Sequence, residues 1–96
     1  MDKNFINTIR LSQNDNIVVA RNELQIGMIV DQSQVTATEL VSPGHKIATE
    51  LIPKGSMIRK YNQVIGTASA DIQAGNHVHT HNCKMANFER DYFFSD

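Results

Sequence analysis

The amino-acid sequence predicts a small all-β domain of short strands and tight Gly/Pro turns, with little helix. Three observations predict it. The apolar residues come in short runs that never hold a helical period for long. Those runs are rich in β-branched side chains, and glycines punctuate them. With 96 residues, the chain has room for a single domain with a modest core.

The elements follow in order. "NTIRLS" (7–12) sets Ile9 and Leu11 on one face and Thr8 and Arg10 on the other. Strand-sized runs then come at "NIVVA" (16–20), "GMIV" (27–30), "QVTATELV" (34–41), "HKIAT" (45–49), "SMIRKY" (56–61), "QVIGTAS" (63–69) and "HVHTH" (77–81). One-turn helices are expected only at "RNEL" (21–24) and "SADIQA" (69–74). An apolar residue precedes a glycine by three positions at Leu24/Gly27, Val41/Gly44, Ile52/Gly55 and Ile72/Gly75. In "SPGH" (42–45), Pro43 and Gly44 occupy the central positions of a type II turn, where glycine tolerates positive φ. In "IPKG" (52–55), Pro53 at the second position and Gly55 at the fourth suit a type I turn. The glycine intervals are unequal, so the recurrence reads as repeated turn chemistry and not as a solenoid.

Composition excludes several function classes. Nine Lys and Arg balance ten Asp and Glu with no basic stripe, which argues against nucleic acid as a partner. The single cysteine, Cys83, can form neither an internal disulfide nor a zinc knuckle, and reads as an inert thiol. The segment "MDKNFINTIRL" has no continuous apolar run, so neither a signal peptide nor a membrane span is expected, and the chain reads as cytoplasmic with no membrane partner. The expected domain covers 1–82. The tail 83–96, "CKMANFERDYFFSD", carries Phe88, Tyr92, Phe93 and Phe94. It reads as a cover for the domain's own sheet, as a docking segment, or as the start of a linker to a catalytic region.

"HVHTHN" (77–82) is the main candidate for chemistry. In an extended strand His77, His79 and His81 share one face, with Val78 and Thr80 on the other. Neighbouring histidines on that face are about 6.7 Å apart at Cα and the outer pair about 13 Å. An imidazole nitrogen sits roughly 2.1 Å from a divalent ion, so two of the three can converge on one metal if a further ligand comes from elsewhere. Proton transfer near neutral pH is the other use of such residues. A polar strand edge with no chemical role has the same spacing. Asn82 suits a hydrogen bond to a substrate oxygen or the end of a strand. "SPGHK" aims His45 and Lys46 from a tight turn, where Lys46 can bind a carboxylate or simply be solvated. Lys60 and Tyr61 are weaker candidates of the same kind.

Taken together, "DNIVVA" (15–20), "PGHKIA" (43–48), "IPKGSMIRKYNQVIGTASADIQAG" (52–75) and "HVHTHN" (77–82), in that order, resemble the small SAF-type domain of the altronate and galactarate dehydratase family. Related sulfolactate sulfo-lyases carry a similar small subunit. The tail "FERDYFF" (88–94) resembles the segment that follows this domain in the sugar-acid dehydratases. Asn62 stands where the family usually has glycine, and asparagine tolerates the left-handed region better than most residues.

The resemblance implies a SAF-like β-clip, a bent β-ribbon folded on itself. It implies a component of a sugar-acid hydro-lyase, inactive alone, completed by a large catalytic subunit or C-terminal domain. A divalent metal, Fe²⁺ or Mn²⁺, is implied as cofactor. On that reading His77, His79 and His45 are the catalytic candidates, Lys46 and Asn82 bind substrate, and His77, His79 and His81 are the metal candidates. Two alternatives stand beside it. One is a non-catalytic carbohydrate-binding or scaffold module, as SAF-like domains are in sialic acid synthases and pilus-assembly proteins. The other is the small subunit of a sulfolactate sulfo-lyase. Homo-oligomerisation is left open.

Overall fold

The structure is a computed structural model and describes residues 7–30 and 34–85. Among these the fold is all-β, with nine short strands and no helix: β1 (Thr8–Ile9), β2 (Ile17–Ala20), β3 (Ile29–Val30), β4 (Val35–Thr36), β5 (Lys46–Ala48), β6 (Met57–Lys60), β7 (Gln63–Ala68), β8 (His77–Val78) and β9 (Cys83–Met85). All pairings are antiparallel, in a four-stranded sheet ordered β1-β2-β5-β8, a β3-β4 pair and a three-stranded sheet β6-β7-β9. This is the SAF-like β-clip, with the β-strands predicted from the short apolar runs.

The organising unit is an eight-residue pattern, alanine, three residues, an aliphatic residue, two residues, glycine. It occurs as Ala20–Gly27, Ala37–Gly44, Ala48–Gly55 and Ala68–Gly75. Each copy ends in a turn closed one residue past the glycine, with the turn hydrogen bonds Met28 N–H to Gln25 C=O, His45 to Ser42, Ser56 to Pro53 and Asn76 to Gln73. In each turn glycine is the third residue, at φ between 84° and 95°, as a type II turn demands.

The copies clasp in pairs. Leu24 and Val41 exchange both backbone hydrogen bonds, as do Ile52 and Ile72. In every case the glycine N–H donates to the alanine carbonyl of the paired copy: Gly27 to Ala37, Gly44 to Ala20, Gly55 to Ala68 and Gly75 to Ala48, each at 2.8 Å. The alanine N–H returns a bond to the carbonyl after the partner's glycine, at His45, Met28, Asn76 and Ser56. All four alanines are buried, and in a close-packed interior a larger side chain there would have to displace its neighbours. The domain is thus two clasps, 20–45 and 48–76, each with local two-fold character.

Two cores result. Val18, Ala20, Leu24, Val30, Ala37, Val41 and Ile47 fill the first clasp. Ile17, Ala48, Ile52, Ile58, Ala68, Ile72, Val78 and Cys83 fill the second. Neighbours alternate along the strands they share: in β2 Ile17 and Val18, and in β5 Ala48 and Ile47, go to opposite cores. The four-stranded sheet is therefore covered on both faces. Each fully buried Ile or Val contributes about 1.5–3 kcal/mol of transfer free energy.

Four local expectations are corrected. "RNEL" and "SADIQA" form bends and bridges, because Leu24 and Ile72 are committed to cross-chain hydrogen bonds that a helical turn would break. The turn at "IPKG" is Pro53–Ser56 of type II, one residue later than expected, because Ile52 is held in its bridge to Ile72. The strand at "HVHTH" stops at Val78. Further on, β9 pairs with β7 and carries the three-stranded sheet to Met85. The remainder of the aromatic tail lies outside the described residues.

Asp15 and Asn16 fasten the β6–β7 hairpin. Its two-residue loop, Tyr61–Asn62, has φ of 57° and 59°, the pattern of a type I′ turn. Both N–H groups donate to the buried Asp15 carboxylate, Tyr61 at 2.7 Å and Asn62 at 2.6 Å. Asn16 takes the Arg59 N–H on its Oδ1 and donates from Nδ2 to Met57 C=O. Among the described residues no buried side-chain nitrogen or oxygen lacks a partner.

Candidate functional site

Three of the predicted histidines meet at one edge of the four-stranded sheet. His45 leaves the type II turn of Ser42–His45, at the end of the first clasp. His77 opens β8, paired with Ile47 of β5, just past the end of the second. His45 Nδ1 lies 2.8 Å from His77 Nε2, so one ring donates a hydrogen bond to the other. His79 stacks on His45 with centroids 4.1 Å apart and planes 15° from parallel. His77 and His79 are 5.6 Å apart and 11° from parallel. All three rings are half-buried.

His79 joins this stack although it lies past the strand. Asn82 holds it: the His79 N–H donates to Asn82 Oδ1 at 3.0 Å, and Asn82 Nδ2 donates to His77 C=O at 2.8 Å. The N–H groups of Asn82 and Cys83 then both donate to His79 C=O. The buried Asn82 amide thus substitutes for the next rung of the sheet and curls residues 79–82 into a turn. His81, on the outside of that turn, tilts against His77 with centroids 5.2 Å apart.

One contributor went unseen in the sequence. Glu39 accepts the His77 backbone N–H on Oε2 at 3.1 Å. Beside it Thr38 donates from Oγ1 to the Gly75 carbonyl, and its N–H donates there too. Only the pairing of the two clasps brings residue 39 to residue 77, and no local spacing signals it.

His45 closes the turn and Lys46, the next residue, opens β5, so the two side chains leave the chain in different directions. Lys46 lies on the side of Val78 and Ala48, near Cys83 and Lys60. Burial is the main cause that pulls its ammonium below the ordinary lysine value; Lys60 adds to this and Cys83 opposes it. Burial pushes the Cys83 thiol up, with Lys46 opposing, which leaves it a poor nucleophile. The His77 imidazole is pushed below its ordinary value by lost hydration first, then by His81, His45 and His79, against the pull of Glu39. His79 moves the same way, through lost hydration, then His45, Lys46 and His81. Both rings therefore favour the neutral form, which carries the lone pair that a metal or a proton requires.

The ligating nitrogens of His45, His77 and His79 all lie within 4.8 Å of one another. Three nitrogens about 2.1 Å from one ion sit some 3–4 Å apart, so these donors come within reach of a shared cation once the stacked rings turn their nitrogens toward it. Imidazole donors suit first-row ions such as Fe, Zn and Ni. The donor set fits a divalent metal, with His45 joining His77 and His79. A separate cleft of about 430 Å³, lined by Glu50, Leu51, Ser56, Met57 and Arg59 among others, contains none of the histidines.

Paired type II clasps with an imidazole cluster at the sheet edge define the class: a SAF-type β-clip domain. The chain belongs to the family of altronate/galactarate dehydratase SAF domains, whose model matches residues 6–86. It is 44% identical to altronate dehydratase of Escherichia coli (strain K12) and 36% identical to that of Bacillus subtilis (strain 168), over 79% of this chain and 16% of each relative. The chain therefore spans only a small part of the length of those curated relatives. It is also 41% identical to the (2R)-sulfolactate sulfo-lyase subunit alpha of Paracoccus pantotrophus, over 53% of this chain and 76% of that subunit. No helix among the described residues is long and apolar enough to cross a membrane.

Proposed function

We propose that this chain is the small component of a sugar-acid hydro-lyase, and that it supplies His45, His77 and His79 to an active site completed by a larger catalytic polypeptide. The observation that carries this reading is the convergence of three half-buried imidazoles on one sheet edge, in a chain that matches 16% of the length of much longer altronate dehydratases. Isolated strand histidines do not need a buried asparagine and a distant glutamate to aim them.

The chemistry is an elimination. A 2,3-dihydroxy acid loses the C2 proton to a base, the electron pair forms the C2–C3 double bond, and the C3–O bond breaks. The hydroxyl departs as water with a proton from an acid, and the resulting enol becomes a 2-keto acid. The C2 proton is weakly acidic, so negative charge on the carboxylate must be stabilised. A divalent cation, Fe²⁺ or Mn²⁺, held by His45, His77 and His79, with His81 beside them, would supply Lewis-acid stabilisation there. An imidazole of this cluster that is not holding the cation, kept neutral by its lowered pKa, is suited to accept or return a proton near neutral pH. Lys46, whose charge is felt at His79, offers the ammonium for a substrate carboxylate, and Asn82 fixes the turn from which His79 projects.

The test is dehydration of altronate by the chain combined with its larger partner, followed by 2-keto acid formation. His77→Ala and His79→Ala should each lower kcat at least about 10²-fold. Wild-type rates in both variants would leave only the scaffold role. A second reading is favoured by coverage: the chain takes in 76% and 73% of two sulfolactate sulfo-lyase alpha subunits, whereas it is a sixth or less of the dehydratases. The same C2 deprotonation would then expel sulfite from C3. Sulfite release from sulfolactate, with no turnover of altronate, would select it.

A further inference from the structure

His77 belongs to two donor sets. The first is His45, His77 and His79. The second is Glu39, His77 and His81, whose carboxylate oxygen and ring nitrogens also lie within 4.8 Å of one another. We propose that Glu39, His77 and His81 form a second divalent-cation site, mixed in carboxylate and imidazole, that shares His77 with the first and is occupied in alternation with it.

The geometry supports each part. His77 Nε2 faces His45 Nδ1 at 2.8 Å, which places that nitrogen with the first set. Glu39 Oε2 accepts the His77 main-chain N–H at 3.1 Å, which holds its carboxylate beside the base of the ring, with a carboxylate oxygen within 4.8 Å of a His77 ring nitrogen. His81 reaches the same ring from the turn, with centroids 5.2 Å apart. A neutral imidazole has one lone pair, so His77 can ligate through one nitrogen at a time and the sets compete for it. The donors also differ in kind. Three imidazoles favour borderline ions such as Fe²⁺, Zn²⁺ and Ni²⁺, whereas exchanging one imidazole for a carboxylate oxygen gives the second set a harder donor that also accepts Mn²⁺. His81 is exposed and Glu39 half-buried, so this position opens outward relative to the His45 side. The site extends the metal-binding reading above but does not depend on the first set being the catalytic one.

The experiment is Mn²⁺ binding to the 96-residue chain, read by loss of the free-ion EPR signal. The wild type should bind one Mn²⁺ per chain. The double variant His45→Ala/His79→Ala should still bind one, and adding either Glu39→Gln or His81→Ala should weaken that residual binding at least tenfold. Glu39→Gln keeps an acceptor for the His77 N–H, and His81 is exposed, so neither change threatens the fold; unchanged circular dichroism checks this. Binding by the wild type but not by the double variant would overturn the second site and leave the first standing. Residual binding indifferent to Glu39→Gln and His81→Ala would overturn it as well. Absence of Mn²⁺ binding in every chain, wild type included, would overturn the second site, while the activity of His77 and His79 variants would still decide the hydro-lyase reading separately.

Discussion

Asn82 shows how much a single buried amide can determine. It is 8% exposed, and both ends of its amide are spent on the backbone of the histidines it positions. Asn82→Ala would leave the His79 N–H and the His77 carbonyl short of partners, at a cost of about 1–3 kcal/mol. The expected outcome is a clear drop in melting temperature together with weaker cation binding; a variant that loses stability but keeps full cation affinity would show that the turn holds without it. The rings themselves give the domain a pH dependence. His77 and His79 have folded-state pKa values below the ordinary 6.5, so the unfolded chain binds more protons in the window just under that value. Stability then rises with pH through that window, is fully present above about 6.5, and is lost on acidification. Melting of the metal-free chain in chelator should shift downward from pH 7.5 to pH 5, with a smaller shift in His77→Gln.

At the level of elements, the turns show which parts of the fold were local enough to read. Gly44 and Gly75 occupy equivalent places, with φ of 84° and 95°. A Cβ on Gly44 would meet open space, whereas one on Gly75 would run into the Thr36 carbonyl oxygen. Gly44→Ala should therefore cost only the left-handed penalty of about 1–2 kcal/mol. Gly75→Ala should cost distinctly more, seen as a larger fall in denaturant midpoint; equal losses would mean the clasp relaxes around the methyl. The apolar residue three positions before each glycine was legible, because it belongs to one short segment. The alanine four positions earlier was not, since its importance lies in a hydrogen bond to another copy of the pattern. The same distinction separates the histidines, visible as "HVHTH", from Glu39, which reaches them only across 38 residues of chain. The strand was expected to run through His81 because alternation alone cannot reveal that the Asn82 side chain would replace a backbone partner.

Over the whole molecule, the sheet that carries the histidines is also the wall between the two cores. Ile47 is fully buried on the first-clasp side and pairs directly with His77. Ile47→Ala should destabilise by about 2–5 kcal/mol, which corresponds to 8 °C or more in a domain this small. If the site depends on the wall, the surviving folded fraction should also bind cation more weakly. Full affinity in that fraction would show the edge to be insulated from the interior.

His45 closes one clasp and His77 opens out of the other, and Thr38 and Glu39 of the first grip Gly75 and His77 of the second. Neither half of the chain owns a complete set of donors. An ion seated there would act as a rivet across the joint, so that its retention reports whether the two halves are in register, and any slippage between them would be felt first as lost chemistry, before any loss of strands.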